Sequence, residues 1–162
     1  EQYVARKVRP QLEDVTSELV QTITEGKYDG VRLDDDYGIT VEDGEHGYFP
    51  IASFSGGERD VISLAARLAL SRLIGSQAAN PPSFLVLDEV FGSLDRERRV
   101  GVLELLNTLA GSAEAFQQLF VISHVDDVRL SPAFTEMWRV VEEADGTSRL
   151  ENLGLTGGAE DL

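Results

Sequence analysis

The chain has 162 residues, with 14 lysine and arginine side chains against 29 aspartate and glutamate side chains, which gives a formal net charge of −15. It has no cysteine, which excludes a disulfide framework and a thiolate metal site. Most nucleic-acid binders present a positively charged surface, whereas the net charge of this chain is negative. Any DNA contact is therefore expected to use a local basic patch or a partner segment. The sequence has no signal peptide and no apolar run long enough to span a bilayer, so we expect one cytoplasmic domain without a membrane partner.

The first segment, residues 1–26, has apolar side chains at intervals of three or four, which is typical of one stripe of an amphipathic helix. The stripe consists of Val4, Val8, Leu12, Val15, Leu19 and Ile23. Pro10 interrupts it and predicts a kink or the first turn of a second helix. The stripe either packs on the domain or is the stub of a longer coiled coil, and we assign it to a stub.

Short strands are predicted next, at residues 30–33, 38–42 and 48–51, with aspartate-containing turns between them. Three consecutive aspartates, residues 34–36, resemble a cation site only superficially. No further ligands lie at the spacing of a metal-binding loop, so a solvated turn is predicted there.

Residues 54–58 (Phe-Ser-Gly-Gly-Glu) are the start of the central helix. Ser55 is a good N-cap and Glu58 lies three residues later, a spacing that predicts a capping box. The residues that follow are apolar nearly all round, so the helix should be buried on most sides. Gly56 and Gly57 each cost about 1 kcal/mol in a helix. We therefore expect a close approach to the backbone here, with phosphate favoured by the helix N-terminus, the alternative being a plain capped helix.

A loop is predicted over residues 75–83. The apolar run 84–88 suits a strand buried on both faces, and it ends in the carboxylates of Asp88 and Glu89, a pair that would be costly to bury without a function.

A helix at about 94–109 and a strand at 118–123 complete a β–α–β unit with parallel strands. Asp88, Glu89 and His124 would then lie at carboxyl ends of parallel strands, where ligands bind in open α/β sheets. A hairpin near residues 136–152 and a mobile tail from residue 154 follow.

Four motifs occur in a meaningful order: residues 54–58, 84–89, 92–95 and His124. In that order they resemble the signature loop, Walker B strand, D-loop and switch histidine of an ABC-type ATPase head. The resemblance implies an α/β fold with a mostly parallel sheet, flanking helices, an N-terminal coiled-coil stub and a small antiparallel region. We assign residues 1–26 to the stub, 27–153 to the ATPase lobe and 154–162 to a flexible tail.

The resemblance also implies roles for these residues. Asp88 would hold Mg²⁺ through its water shell, Glu89 would orient or deprotonate the attacking water, and His124 would contact the γ-phosphate of ATP. The residues that would meet ATP bound to a second head are Ser55, Gly56, Gly57, Glu58 and Asp95. An acid such as Asp95 is favoured in the first turn of a helix in any case.

A Walker A loop is the missing motif. The two lysines, Lys7 and Lys27, do not lie in a G-x-x-x-x-G-K-[ST] sequence. We therefore expect ATP hydrolysis only together with a Walker A lobe, supplied by a separate chain or by the rest of the same polypeptide. This separation of lobes is typical of SMC-like proteins.

Residues 54–59, 63–71 and 87–95 are similar to the SbcC family, and 91–95 (Phe-Gly-Ser-Leu-Asp) is the most specific part. Phe54 stands where the family usually has leucine. The resemblance implies an ATP-dependent head dimer in the repair of DNA double-strand breaks, with a nuclease subunit and DNA as partners at the nucleoid. The alternatives are a head of the condensin, cohesin or RecN type, and a non-catalytic interaction module.

Overall fold

The computed structural model describes residues 2–78, 84–110, 116–129 and 131–154, and it divides the chain into two compact units, Glu1–Ser123 and His124–Leu162. The described residues of the first unit form three α-helices and five strands. They are α1 (Gln2–Ile23), β1 (Gly30–Leu33), β2 (Ile39–Glu42), β3 (Tyr48–Pro50), α2 (Gly56–Gln77), β4 (Phe84–Asp88), α3 (Arg96–Ala110) and β5 (Gln118–Ile122).

The core of the first unit forms where α1 packs against α2, α3 and β1. From the predicted stripe of α1, Leu12, Leu19 and Ile23 are buried, and Thr16 and Val20 widen the buried face. Pro10 lies inside one continuous helix. The stripe therefore packs on its own domain from Leu12 onward.

One glycine sets the distance between two of these helices. A Cβ atom at Gly101 of α3 would lie 2.4 Å from the carbonyl oxygen of Ile23, at the end of α1. Cβ atoms in proteins essentially never come within 3.0 Å of such an atom. Glycine at position 101 therefore permits α3 to pack this closely against α1.

The strands β1, β2 and β3 form an antiparallel sheet in that order. In the turn after β1, one carboxylate oxygen of Asp34 accepts hydrogen bonds from the backbone N–H groups of Asp36 and Gly38, at 2.9 and 2.7 Å. Asp35 is exposed and pairs with Arg9 at 2.5 Å. The prediction of a solvated turn is confirmed, since Asp34 accepts hydrogen bonds from the backbone of the turn and the exposed Asp35 forms an ion pair with Arg9.

The parallel pair β4–β5 differs from the prediction in its burial. The two strands pair in register from Phe84↔Gln118 to Asp88↔Ile122, so alternate residues share one face. On that face Phe84, Val86, Phe120 and Ile122 are 54%, 48%, 50% and 52% exposed. The prediction that 84–88 is buried on both faces is therefore wrong for this chain, because its own elements cover only the face of Leu87.

Two further features differ from the sequence-based predictions. The helix α2 continues through Gly75 to Gln77, so the predicted loop is wrong for residues 75–77, while residues 79–83 lie outside the described part of the chain. The α/β class is confirmed, but its parallel part is a single pair of strands, and the other five described strands are antiparallel.

The second unit contains α4 (Asp126–Arg129) and the antiparallel hairpin of β6 (Met137–Glu142) and β7 (Ser148–Gly154). The turn has Gly146 at φ 82°, and Asp145 accepts a hydrogen bond from the backbone of Thr147 at 3.0 Å. This confirms the predicted hairpin; the predicted mobile tail falls largely on residues 155–162, outside the described residues. None of the helices in the described ranges is long and apolar enough to cross a membrane.

Candidate functional site

The N-terminus of α2, here called the signature turn (residues 55–58), has the predicted capping box. The Glu58 carboxylate accepts hydrogen bonds from the Ser55 backbone N–H at 3.0 Å and from the Ser55 hydroxyl at 2.6 Å. Ser55 and Gly56 are exposed, and a Cβ atom at Gly56 would meet no other atom within 4 Å. The backbone at Gly56 is therefore open to an approach from outside the chain.

The signature turn packs on the D-loop (residues 92–95). A Cβ atom at Gly57 would lie 3.6 Å from the carbonyl oxygen of Ser93 and 3.7 Å from the Arg98 guanidinium, which are ordinary contact distances. The packing within this chain thus gives no steric requirement for glycine at either position of the turn. The expected close approach to the backbone is not made by the described residues and stays a prediction.

Glu58 is the centre of a polar network that the sequence did not reveal. One of its carboxylate oxygens accepts hydrogen bonds from Lys27 Nζ and the Tyr28 hydroxyl, both at 2.7 Å, and lies 3.4 Å from a guanidinium nitrogen of Arg98. The hydrogen bonds from Lys27, Ser55 and Tyr28, in that order of size, hold the pKa of Glu58 far below its ordinary 4.5. Glu58 is therefore a permanent anion in the folded chain near neutral pH.

Asp95 has two functions in the structure. Its carboxylate accepts a hydrogen bond from the Arg98 backbone N–H at 3.0 Å, which caps the start of α3, and it forms a salt bridge with the Arg98 guanidinium. Since Arg98 also faces Glu58, the structure brings the predicted residues of the signature turn and the D-loop into one network. The residues that sequence reasoning missed are Lys27, Tyr28 and Arg98, which are distant from Glu58 in sequence.

The Walker B carboxylates lie at the carboxyl end of β4, as predicted, and both are exposed, so the expected burial of the pair is wrong. Glu89 has a φ of 51°, in the left-handed region, and its backbone N–H donates to the Ile122 carbonyl oxygen at 2.9 Å. A non-glycine residue in this conformation costs about 1–3 kcal/mol, and such strain is concentrated at functional sites. Glu25 and Tyr37 have similar φ values of 52° and 62° in turns, so the conformation of Glu89 supports a function only together with its place at the end of β4.

His124 is the first residue of the second unit and follows β5 by two residues; its side chain is exposed. The described residues contain no group of three or more histidine, aspartate and glutamate side chains placed to hold a metal ion.

Comparison with known proteins agrees with these motifs. A family model described as "SbcC/RAD50-like, Walker B motif" matches residues 33–108. The DNA double-strand break repair Rad50 ATPase of Methanopyrus kandleri is 36% identical over 150 residues, covering 91% of this chain and 16% of that protein. The SbcC component of the nuclease SbcCD from Bacillus subtilis is 34% identical over 128 residues, covering 74% of this chain and 11% of that protein. The chain thus spans a small part of the length of these relatives.

Solved structures share the fold. A chain from a structural study of ATP-driven dimerization and DNA-stimulated activation of SMC ATPases superposes with a TM-score of 0.77 at 19% identity, covering 96% of this chain and 91% of that chain. The SMC head domain from Thermotoga maritima gives a TM-score of 0.68 at 22% identity, covering 90% of this chain and 48% of that chain. The family model and the relatives show that the chain belongs to the SbcC/RAD50-like family, and its fold is that of SMC head domains.

Proposed function

We propose that the chain is the signature and Walker B lobe of an ATP-gated ATPase that acts in the repair of DNA double-strand breaks. The observation that carries the proposal is Glu89, an exposed carboxylate held in a strained left-handed conformation at the carboxyl end of a parallel strand. Its backbone N–H donates a hydrogen bond to the Ile122 carbonyl oxygen at 2.9 Å, which links it to β5. A carboxylate held in this way is suited to orienting a water molecule and accepting its proton.

Three residues would have separate tasks. Asp88 would hold Mg²⁺ through water, and the ion would offset the negative charge of the nucleotide phosphates. His124 would donate a hydrogen bond to the γ-phosphate. Glu89 would accept the proton of the attacking water.

The partner lobe would cover the apolar face of the β4–β5 pair. Parallel sheets are normally covered on both faces, yet Phe84, Val86, Phe120 and Ile122 are about half exposed here. We assign this face to the Walker A lobe, because this chain has no Walker A lysine and spans only 16% of the length of its Rad50 relative. The lobe would come from the same polypeptide or from a separate chain.

A second head would use the signature turn. The exposed N-terminus of α2 presents the hydroxyl of Ser55 and the backbone N–H groups of Gly56 and Gly57, which favour a phosphate. Two such heads would therefore enclose ATP between them as a homodimer. Nuclease and DNA partners are proposed from the Bacillus subtilis relative, which is part of a nuclease, and from the Rad50 relatives, which are named for double-strand break repair.

The experiment that tests this function is Ser55→Arg in the full-length protein. The substitution places bulk and charge where the phosphate would approach, while the exposed position should tolerate the new side chain. ATP binding by each head should persist, whereas ATP-dependent dimers, hydrolysis and DNA binding should fall together. Light scattering with and without a non-hydrolysable ATP analogue gives the dimer fraction.

The matched control is Arg96→Ala, an exposed substitution at the start of α3. It should leave the dimer fraction unchanged. Dimers of Ser55→Arg that form as readily as those of the wild type would mean that the signature turn is a plain helix start.

A further inference from the structure

Arg98 connects two motifs that are nearly forty residues apart in sequence. One terminal nitrogen of its guanidinium forms the salt bridge with Asp95 in the D-loop, and the other lies 3.4 Å from Glu58 in the signature turn. We propose that Arg98 is a positioning residue that couples the signature turn to the D-loop by bridging Glu58 and Asp95. This inference rests on the proposed function, because it concerns how the two motifs meet a nucleotide together.

The bridge depends on the shape of the guanidinium group. Arginine presents several N–H donors in one rigid plane, so it can hold two carboxylates at a fixed mutual angle, whereas the single ammonium of lysine acts as a point charge. Two carboxylates repel each other, so a favourable link between Glu58 and Asp95 has to run through a cation. Arg98 is 28% exposed and Glu58 15% exposed, so solvent screens this contact less than an ordinary surface pair.

Glu58 is a suitable fixed point for such a link. Lys27 and Tyr28 hold one carboxylate oxygen from the segment that follows α1. The other oxygen accepts hydrogen bonds from the backbone N–H and the hydroxyl of Ser55. The same carboxylate thus positions Ser55 on one side and, through Arg98, Asp95 on the other.

A consequence follows for nucleotide binding. The Ser55 hydroxyl uses its one proton in the 2.6 Å hydrogen bond to Glu58, so donation to a phosphate requires that bond to break. Glu58 then loses a donor, and its remaining charge-assisted partners include Arg98. A change at Ser55 is thereby transmitted to the D-loop side of the network.

The test is a double-mutant cycle of Glu58→Gln and Asp95→Asn in the full-length protein. The cycle is measured with arginine at position 98 and again with Arg98→Ala and Arg98→Lys. The measured quantity is the concentration of a non-hydrolysable ATP analogue that gives half-maximal dimer. With arginine at position 98, the half-maximal concentration of the double variant should differ by about threefold or more from the value expected if the two single effects multiplied. With alanine or lysine at position 98, the two effects should simply multiply.

Two further readouts separate positioning from a loss of folding. ATP binding to the monomeric head should stay within about twofold of the wild type in Arg98→Lys, since this step uses the Walker A lobe. Arg96→Ala, on the same helix, should leave the cycle unchanged.

The outcomes are distinct. A wild-type protein that does not dimerise with the ATP analogue would remove the proposed function and this inference together. If the wild type dimerises and the deviation from multiplicative behaviour is the same with alanine or lysine at position 98 as with arginine, the role of Arg98 alone is overturned. A deviation that is present with arginine and lost with lysine would establish it.

Discussion

Replacing Glu58 by glutamine removes a charge from the centre of the polar network and should destabilise the first unit. Glu58 accepts hydrogen bonds from Lys27, Tyr28 and both donors of Ser55. A glutamine amide keeps one acceptor oxygen and turns two N–H donors toward groups that are themselves donors. Hydrogen bonds to a charged group contribute about 1.5–3 kcal/mol each when shielded. Because Lys27 is half exposed, we expect a total loss of about 2 kcal/mol rather than the sum.

The effect of pH on this loss has a defined sign. The pKa of Glu58 is lowered in the folded chain, chiefly by the hydrogen bond from Lys27, from an ordinary value of 4.5. A group with a lowered folded pKa contributes stability above its unfolded pKa, and that contribution falls as the pH drops below it. The difference in unfolding free energy between wild type and Glu58→Gln should therefore be constant near pH 7. Below about pH 4.5 it should shrink by up to about 1.4 kcal/mol per pH unit.

Urea unfolding followed by far-ultraviolet circular dichroism at pH 7 and at pH 3–4 measures the loss of unfolding free energy in Glu58→Gln and its dependence on pH. The control is Glu104→Gln, which removes the same charge from an exposed position of α3 and should change stability by less than about 0.5 kcal/mol. If the loss for Glu58→Gln were the same at pH 3 as at pH 7, the ionised carboxylate would not be what stabilises the network.

Four further predictions concern other parts of the chain. Gly101→Ala should cost about 1–3 kcal/mol, because its Cβ would meet the Ile23 carbonyl oxygen, whereas Gly56→Ala should not lower stability in the same urea assay. In the full-length protein, Glu89→Gln should slow ATP hydrolysis by about 10²-fold or more with ATP binding intact, as steady-state and binding assays would show; normal turnover would exclude Glu89 as the base. Glu89→Asn should also lose activity but melt higher than Glu89→Gln, since asparagine tolerates the left-handed conformation. The 162-residue chain alone should not hydrolyse ATP, and turnover in a purified sample free of contaminating ATPases would contradict the need for a Walker A lobe.

Local patterns predicted most of the elements. The strand at residues 84–88, the capping box at Ser55 and the hairpin turn at Gly146 all depend on residues close together in sequence, and all three are present. Their physical causes are the apolar run, the N-cap side chain and the conformational freedom of glycine. Such causes can be read from a single sequence.

The remaining features depend on contacts between distant residues. The apolar run at 84–88 is uncovered on one face, because burial depends on what packs against a strand and not on the strand itself. The partners of Glu58 are Lys27, Tyr28 and Arg98, and no periodicity links charged residues so far apart. Glu89 adopts a left-handed conformation where its N–H pairs with Ile122 of the neighbouring strand, a contact between residues that are distant in sequence. Tertiary structure decides each of these.

The separation of core and site determines how far the proposed function can be tested by substitution. The core of the first unit lies among α1, α2 and α3, whereas Ser55, Asp88 and Glu89 are exposed at the ends of their elements. Changes at these three positions should therefore alter chemistry with little effect on folding. Glu58 is the exception, because the same carboxylate stabilises the fold and positions the signature turn. A loss of activity in Glu58→Gln alone would not separate the two effects, and that is why the cycle with Asp95 has to be measured through the ATP dependence of dimerisation.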